Sequence, residues 1–293
     1  MQKSKNMKQS LIEIGTPPWS HKEIRSHLNE FQKIYESRPI KDNSGGMKSA
    51  HMFAVWFIAK KLKPEFIVES GIFKGQSTWL LEVACPKARI VSIDLNLNAR
   101  VYISNNVEYS SVDFSEHDWS NIPENSLVFF DDHQNALKRT QQCLWYGFQD
   151  IIFEDNYPAI HGDCYSLKKV WSGSGSVNAS FTQPRKALLA KIACKLLKYA
   201  GYYSAPGMPE YQPKHIAPND HDAKVLSKWL EIYYEFPPIF KIEKTRWGDT
   251  WNELDYPTPD AILQPTERHL FPTFYEEALF YTWICYVRLR RMC

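Results

Sequence analysis

The sequence predicts an α/β chain on a doubly wound, mostly parallel sheet, with an N-terminal helical extension and C-terminal additions. Three observations predict it. Short apolar runs alternate with helical patterns between residues 66 and 156. The first run turns through a glycine loop into a helix, and each run closes on an acidic residue. Near-continuous apolar runs are the habit of parallel strands buried on both faces.

Residues 1–46 are polar, with Pro17 and Pro18, a helical pattern over 21–37 and a turn at Asn43, Ser44, Gly45 and Gly46, and they read as an N-terminal extension. From 47 to 62 Met52, Phe53, Val55, Trp56, Ile58, Ala59 and Leu62 recur near helical spacing, and Pro64 closes the segment. Strands are expected at 66–70, 89–95, 107–113, 126–132 and 150–156, with helices at 76–84 and 135–146.

Beyond Asn156 the stretch 157–184 is irregular and carries a Ser/Gly run. It is too long for an ordinary connection and reads as a lid that orders over an acceptor. A helix at 185–199, a loop rich in Pro and Tyr, and a helix at 221–234 follow, with the last two strands expected at 239–247 and 261–263. The aromatic stretch 266–293 is expected to be a C-terminal helix docked on the core or in a homodimer interface; its closing arginines also raise a membrane-interface reading. The main domain then spans 47–265.

Composition narrows the partners. With 35 basic and 33 acidic side chains the formal net charge is +2, so no global field favours nucleic acid or an anionic membrane, and a small-molecule or glycan substrate fits better. No apolar run reaches the roughly 18 residues a stable membrane insertion needs. The six cysteines form no Cys-x-x-Cys pair, and the lysine-rich start leads into no apolar segment. A disulfide scaffold is excluded, and the cytoplasm is the expected compartment.

The chemistry concentrates at predicted strand ends. After Phe66, Ile67 and Val68 come Glu69, Gly71, Gly75, Ser77 and Thr78, where a tight turn meets a helix N-terminus offering N–H groups and hydroxyls. Glu69 beside that turn disfavours a pyrophosphate and favours a cationic or hydroxyl-rich ligand such as S-adenosylmethionine. Asp94, Asp113, Asp131 with Asp132, and Glu154 with Asp155 close the later runs. Any one of them could cap a helix. So many carboxylates in one crevice, however, need a cationic ligand or a metal to offset their repulsion.

The pattern Glu69-x-Gly71-x-x-x-Gly75-x-Ser77 resembles the first motif of class I S-adenosylmethionine-dependent methyltransferases, in particular the metal-dependent O-methyltransferase and cephalosporin-hydroxylase-like branch. Phe73 stands where the commoner glycine-rich version has its middle glycine. The resemblance covers about residues 47–156. It implies a Rossmann-like fold of methyltransferase type and a magnesium- or calcium-assisted transfer of methyl to a hydroxyl of a sugar, polyol or other small metabolite. It further implies that Glu69, Gly71, Gly75, Ser77, Asp94 (ribose) and Asp113 (adenine, with Phe114 as a stacking face) bind the cofactor. In the same way it implies Asp131, Glu154 and Asp155 as metal ligands, with Asp131 and His133 in catalysis and His133 as the candidate base.

If Glu154 turned into the core, or Asp131 away from Asp155, a base-driven route through His133 would replace the metal-assisted one. Trp171, Tyr202, Tyr203 and Trp247 are candidate stacking faces, and residues 161–164 read as a substrate loop or structural turn rather than a metal cluster. Two other functions stay open: a metal-dependent enzyme of this fold that transfers no methyl, and a catalytically silent module that serves as a binding scaffold.

Overall fold

The structure, a computed structural model, describes residues 11–159, 161–173 and 220–291. Two short helices open the chain where one was expected. α1 (His21–Ser26) starts on Ser20, whose hydroxyl accepts the Glu23 N–H, and α2 (Leu28–Glu36) follows after a break at His27. Helix α2 buries Leu28, Phe31 and Tyr35, one stripe at helical spacing. In α3 (Ser49–Leu62) every residue from Ser49 to Ala59 is buried. The helix ends on Lys63 in left-handed conformation, just before Pro64.

The sheet follows the predicted alternation: β1 (Phe66–Ser70), α4 (Gln76–Ala84), β2 (Arg89–Ile93), β3 (Val107–Ser110), β4 (Ser126–Phe130), α5 (Ala136–Tyr146) and β5 (Asp150–Phe153). Strand order is β3-β2-β1-β4-β5-β7-β6, where β6 is Leu230–Glu235 and β7 is Cys285–Leu289. The first five strands are mutually parallel, and β7 lies antiparallel to both β5 and β6. This is a Rossmann-like doubly wound sheet. The order reverses between β1 and β4, which places the ligand crevice at the carboxyl ends of those strands.

Period-two alternation divides the core. Ile67, Ile90, Phe129 and Ile152 face a cluster with α3, α4 and the N-terminal helices, whereas Phe66, Val68, Val91, Val128 and Phe153 face the opposite cluster, which includes Cys143 and Leu144 of α5.

The C-terminal third departs from expectation. The helix expected over 221–234 stops at Trp229 in α7 (Asp220–Trp229), and the chain goes straight into β6. Neither 239–247 nor 261–263 is a strand; the former contributes one isolated bridge, Lys244 to Thr250. The expected C-terminal helix is a short helix α8 (Pro272–Glu276), a 3-10 turn (Glu277–Phe280) and then β7, buried inside the sheet. Phe271, Phe274, Tyr281, Trp283 and Tyr286 there are buried in strand and core, while Phe280 is 44% exposed. Among the described residues no helix is long and apolar enough to cross a membrane.

The first part of the expected lid packs on the rest of the chain. It contains α6 (Leu167–Trp171) and buries Tyr157, Cys164, Tyr165, Leu167 and Val170. The rest of that stretch, the helix expected at 185–199 and the Pro/Tyr-rich loop lie outside the described residues.

Candidate active site

The glycine loop is shaped by the protein around it. Gly71 has φ +99°, and a Cβ there would lie 2.1 Å from the Asp131 carbonyl oxygen. Gly75, at φ +89°, begins α4 with its Cα facing the Tyr102 carbonyl, 2.6 Å from where a Cβ would stand. Both glycines therefore answer to neighbouring backbone, whereas the sequence reading had Gly71 approaching a ligand. Asp94 locks the loop from β2: its Oδ2 accepts the Ile72 and Phe73 N–H groups, each at 3.0 Å, and its Oδ1 accepts that of Asn96 at 2.8 Å. A carboxylate offers about four acceptor positions, so Asp94, which is partly exposed, keeps capacity for a ligand.

Three expected cofactor contacts, Glu69, Ser77 and Asp113, and the expected stacking face Phe114 are engaged inside the protein. Glu69 is two residues after Ile67 and so faces α4 rather than the crevice. It is fully buried, accepting from Thr78 Oγ1 at 2.6 Å and Ser92 Oγ at 2.5 Å, while its Oε1 has no partner. Burial raises its carboxyl from the ordinary range, against the hydroxyls of Ser77, Ser92 and Thr78. Ser77 is buried as well, so its hydroxyl belongs to this internal cluster. Asp113 is tied to Arg139, with Nη2 at 2.6 Å and Nη1 at 3.0 Å, and caps a turn through the Ser115 N–H at 2.9 Å. The Arg139 guanidinium holds Asp113 well below the usual carboxylate range. Phe114 is fully buried against Phe130, Trp119 and Phe148, so it offers no stacking face.

The cation set differs from the expected one by a single residue. One ligand atom from each of Asp131, His133 and Asp155 lies within 4.8 Å of the others. Glu154, two residues beyond Ile152, turns instead toward α3, where the His51 Nδ1 lies 2.5 Å from its Oε1. Asp131 does face Asp155, but Glu154 on the α3 side meets one of the two conditions under which a base-driven route through His133 was to replace metal assistance by Asp131, Glu154 and Asp155; a metal-assisted reading stands only on the different set Asp131, His133 and Asp155. The donor set still fits a hard divalent cation: Asp155 is buried, and its Oδ2 is buried without a hydrogen-bond partner. His133 Nδ1 is 3.2 Å from that oxygen, but it is engaged by Asp163 Oδ1 at 2.9 Å.

Electrostatics follow from this crowding. Burial, then the charges of Glu154 and Asp155, push Asp131 upward; burial and Glu154 do the same for Asp155. Burial works against a charge on His133, but Asp163, Asp155 and Asp131 override it and lift the ring to about 11. The neighbouring carboxylates thus favour the protonated ring while the cluster holds no cation. A bound cation competes directly with that proton. His51, fully buried, is lowered to about 3 by burial and stays neutral.

Three residues escaped the sequence reading: His51, Arg139 and Asp163. Asp163 lies in the 161–164 stretch, which was expected to be a substrate loop or structural turn. In that turn His161 stacks on Trp247 at 3.9 Å and hydrogen-bonds the Tyr256 hydroxyl at 3.0 Å. His161 covers one face of Trp247, and Trp283 lies parallel to it at 6.1 Å; Trp171 packs on Tyr233. Trp247 is therefore covered on one face, whereas Trp171 is half-buried with one edge-on neighbour; Tyr202 and Tyr203 lie outside the described residues. A cavity of about 390 Å³, lined by Glu65, Glu124, Gln149 and Arg288 among others, opens at the opposite edge of the sheet and contains none of these acids.

No family model matches the chain, and no curated protein matches it. Solved structures with a similar fold include "cmcI-D160 Mg-SAM", at 21% identity and TM-score 0.31, over 37% of this chain and 53% of that one, about half its length. Others are the SAH-bound Podospora anserina methyltransferase PaMTH1 (14% identity, TM-score 0.36, 63% of this chain and 91% of that) and the Bacillus cereus O-methyltransferase in complex with SAH (14%, 0.34, 59% and 79%). These likenesses are distant, and the assignment of fold rests on strand order and direction.

Proposed function

We propose that the chain is an S-adenosylmethionine-dependent methyltransferase that methylates a hydroxyl of a sugar, polyol or other small metabolite with help from a divalent cation. The observation that carries this reading is the convergence of Asp131, His133 and Asp155 at the same sheet edge where Asp94 pins the glycine loop. On the cofactor side, Asp94 supplies acceptors for a ribose diol. Leu95 and Val112, 74% and 43% exposed on the loops after β2 and β3, supply uncovered apolar surface for a base.

On the acceptor side, Asp131 and Asp155 would hold the cation, with His133 as a third ligand once its proton is displaced. A bound cation would lower the pKa of an acceptor hydroxyl and fix it in place, and the sulfonium supplies the methyl. Asp163 orients the His133 ring from the far side.

Calorimetry with S-adenosylhomocysteine tests the cofactor. The native chain is expected to bind it and Asp94→Ala to lose about 1–3 kcal/mol, as for a charge-assisted hydrogen bond. Binding of NAD with none of S-adenosylhomocysteine would overturn the reading. Asp155→Ala is expected to abolish divalent-ion binding while leaving S-adenosylhomocysteine affinity nearly intact, because the cofactor groups lie on β1 to β3. Joint loss of stability and cofactor affinity would instead assign Asp155 a purely structural role.

A further inference from the structure

His51 is the one ionisable side chain in the buried run of α3, and both of its ring nitrogens are engaged. The Thr282 backbone N–H lies 3.0 Å from Nε2. A backbone N–H can only donate, so Nε2 is the acceptor and a neutral ring carries its proton on Nδ1. That proton faces Glu154 Oε1 at 2.5 Å. Thr282 is available because β7 runs antiparallel, which starts it at the edge where β5 ends. There the Asn156 N–H also donates to the Trp283 carbonyl at 3.0 Å. The segment from Glu154 to Asn156 is thus clamped between α3 and the residues leading into β7.

A buried histidine with two partners is often only a satisfied core residue. Here the carboxylate that it serves is bonded in sequence to Asp155, which is buried, lies with its Oδ2 3.2 Å from His133 Nδ1 and belongs to the cation set. We propose that His51 is a positioning residue for the cation cluster: by donating from Nδ1 it holds Glu154 on the α3 side, so that Asp155 faces the cation with the Glu154 charge fixed behind it. The inference rests on the cation-binding part of the function proposed above. Without the donor, the Glu154 carboxylate is released from α3 and competes for the place of Asp155.

The first measurement needs no variant. Long-range proton–nitrogen correlation on histidine-labelled native protein is expected to show His51 with Nδ1 protonated and Nε2 bare; the opposite tautomer overturns the proposal. The second compares His51→Phe, which removes the donor, with His51→Asn, which returns an N–H near the Nδ1 position, reading Mn²⁺ affinity, S-adenosylhomocysteine affinity and melting temperature. His51→Phe is expected to bind Mn²⁺ at least about tenfold more weakly, the usual effect of losing an outer-sphere partner, and His51→Asn to recover most of it, both with cofactor affinity unchanged.

If His51→Phe does not fold, His51→Leu, which also removes the donor and fills less space, takes its place with the same expected loss. Native-like Mn²⁺ affinity in the donor-free variant, or no recovery in His51→Asn, overturns the positioning role alone. A native chain that binds S-adenosylhomocysteine but no Mn²⁺ overturns the cation reading and this inference together.

Discussion

Single residues at the site divide by which side of a strand they leave from. Glu69 follows Ile67 and Glu154 follows Ile152 at a spacing of two, so both turn toward α3 and α4, while Asp155 is one residue out of that phase; Asp94 and Asp131 share the phase of Ile90 and Phe129 yet stay at the crevice, because β2 and β4 end just before them. For Glu69 the alternation inside β1 made that legible; past the last residue of a strand, where Asp94, Asp131, Glu154 and Asp155 lie, alternation alone does not place a side chain. What was not legible is the identity of the partners: His51 meets Glu154 from a helix 103 residues away in sequence, and Arg139, though close to Asp132, reaches back 26 residues to Asp113. The glycines yield a sharp test at this scale. Gly71 and Gly147 have similar left-handed φ values, +99° and +86°, yet a Cβ at Gly147 meets nothing within 4 Å while one at Gly71 collides with the Asp131 carbonyl. Gly147→Ala is therefore expected to cost about 1–2 kcal/mol, the conformational term alone. Gly71→Ala should cost clearly more in urea denaturation and displace the turn that carries Asp131. Equal costs would mean that the loop moves away freely.

At the scale of elements, the first five strands were legible because each is a short apolar run between clear turn signals. The last two were not. The run from Phe271 to Leu289 is so uniformly apolar and aromatic that periodicity cannot separate strand from helix, and only the alternation of Cys285, Val287 and Leu289 with Tyr286 and Arg288 marks β7. Helix α5 shows how an element is fixed by charge. Buried Arg139 donates through Nε to Asp132 Oδ2 at 2.9 Å and through its terminal nitrogens to Asp113, joining the ends of β3 and β4. Asp132 also accepts from Ser70 Oγ at 2.9 Å, so one guanidinium steadies the turn that carries Asp131 and His133. Replacing Arg139 by Met leaves two carboxylates without their cation and is expected to destabilise by about 3–5 kcal/mol. In a double-mutant cycle with Asp132→Asn the costs should fall short of additive, because the two side chains act through one contact. Strict additivity would show that the pair contributes no coupling.

Across the whole molecule, the shifted groups set how stability depends on pH. His51 is lowered from 6.5 to about 3 by burial, so the unfolded chain binds a proton that the folded chain refuses, and stability falls as pH drops below about 6.5. Asp131 and Asp155 are raised by burial and by neighbouring carboxylates. The folded chain keeps protons that the unfolded chain has released, and stability falls as pH climbs above the ordinary carboxylate value of 3.8. His133, raised from 6.5 to about 11, contributes stability that is fully present below 6.5 and is lost toward 11. With Asp113 pulling the other way only in strong acid, the melting temperature in chelator is expected to peak on the acid side of neutrality and to decline through pH 8 and 9. A divalent cation replaces the protons of the cluster with a charge that does not titrate, so excess Mg²⁺ should raise the melting temperature most at high pH and flatten that decline. The Asp155→Asn variant should show a shallower decline in chelator and little response to Mg²⁺. A native melting temperature that rises steadily from pH 5 to 9 in chelator would show that the carboxylates are not held together as described, and the cation site would fall with them.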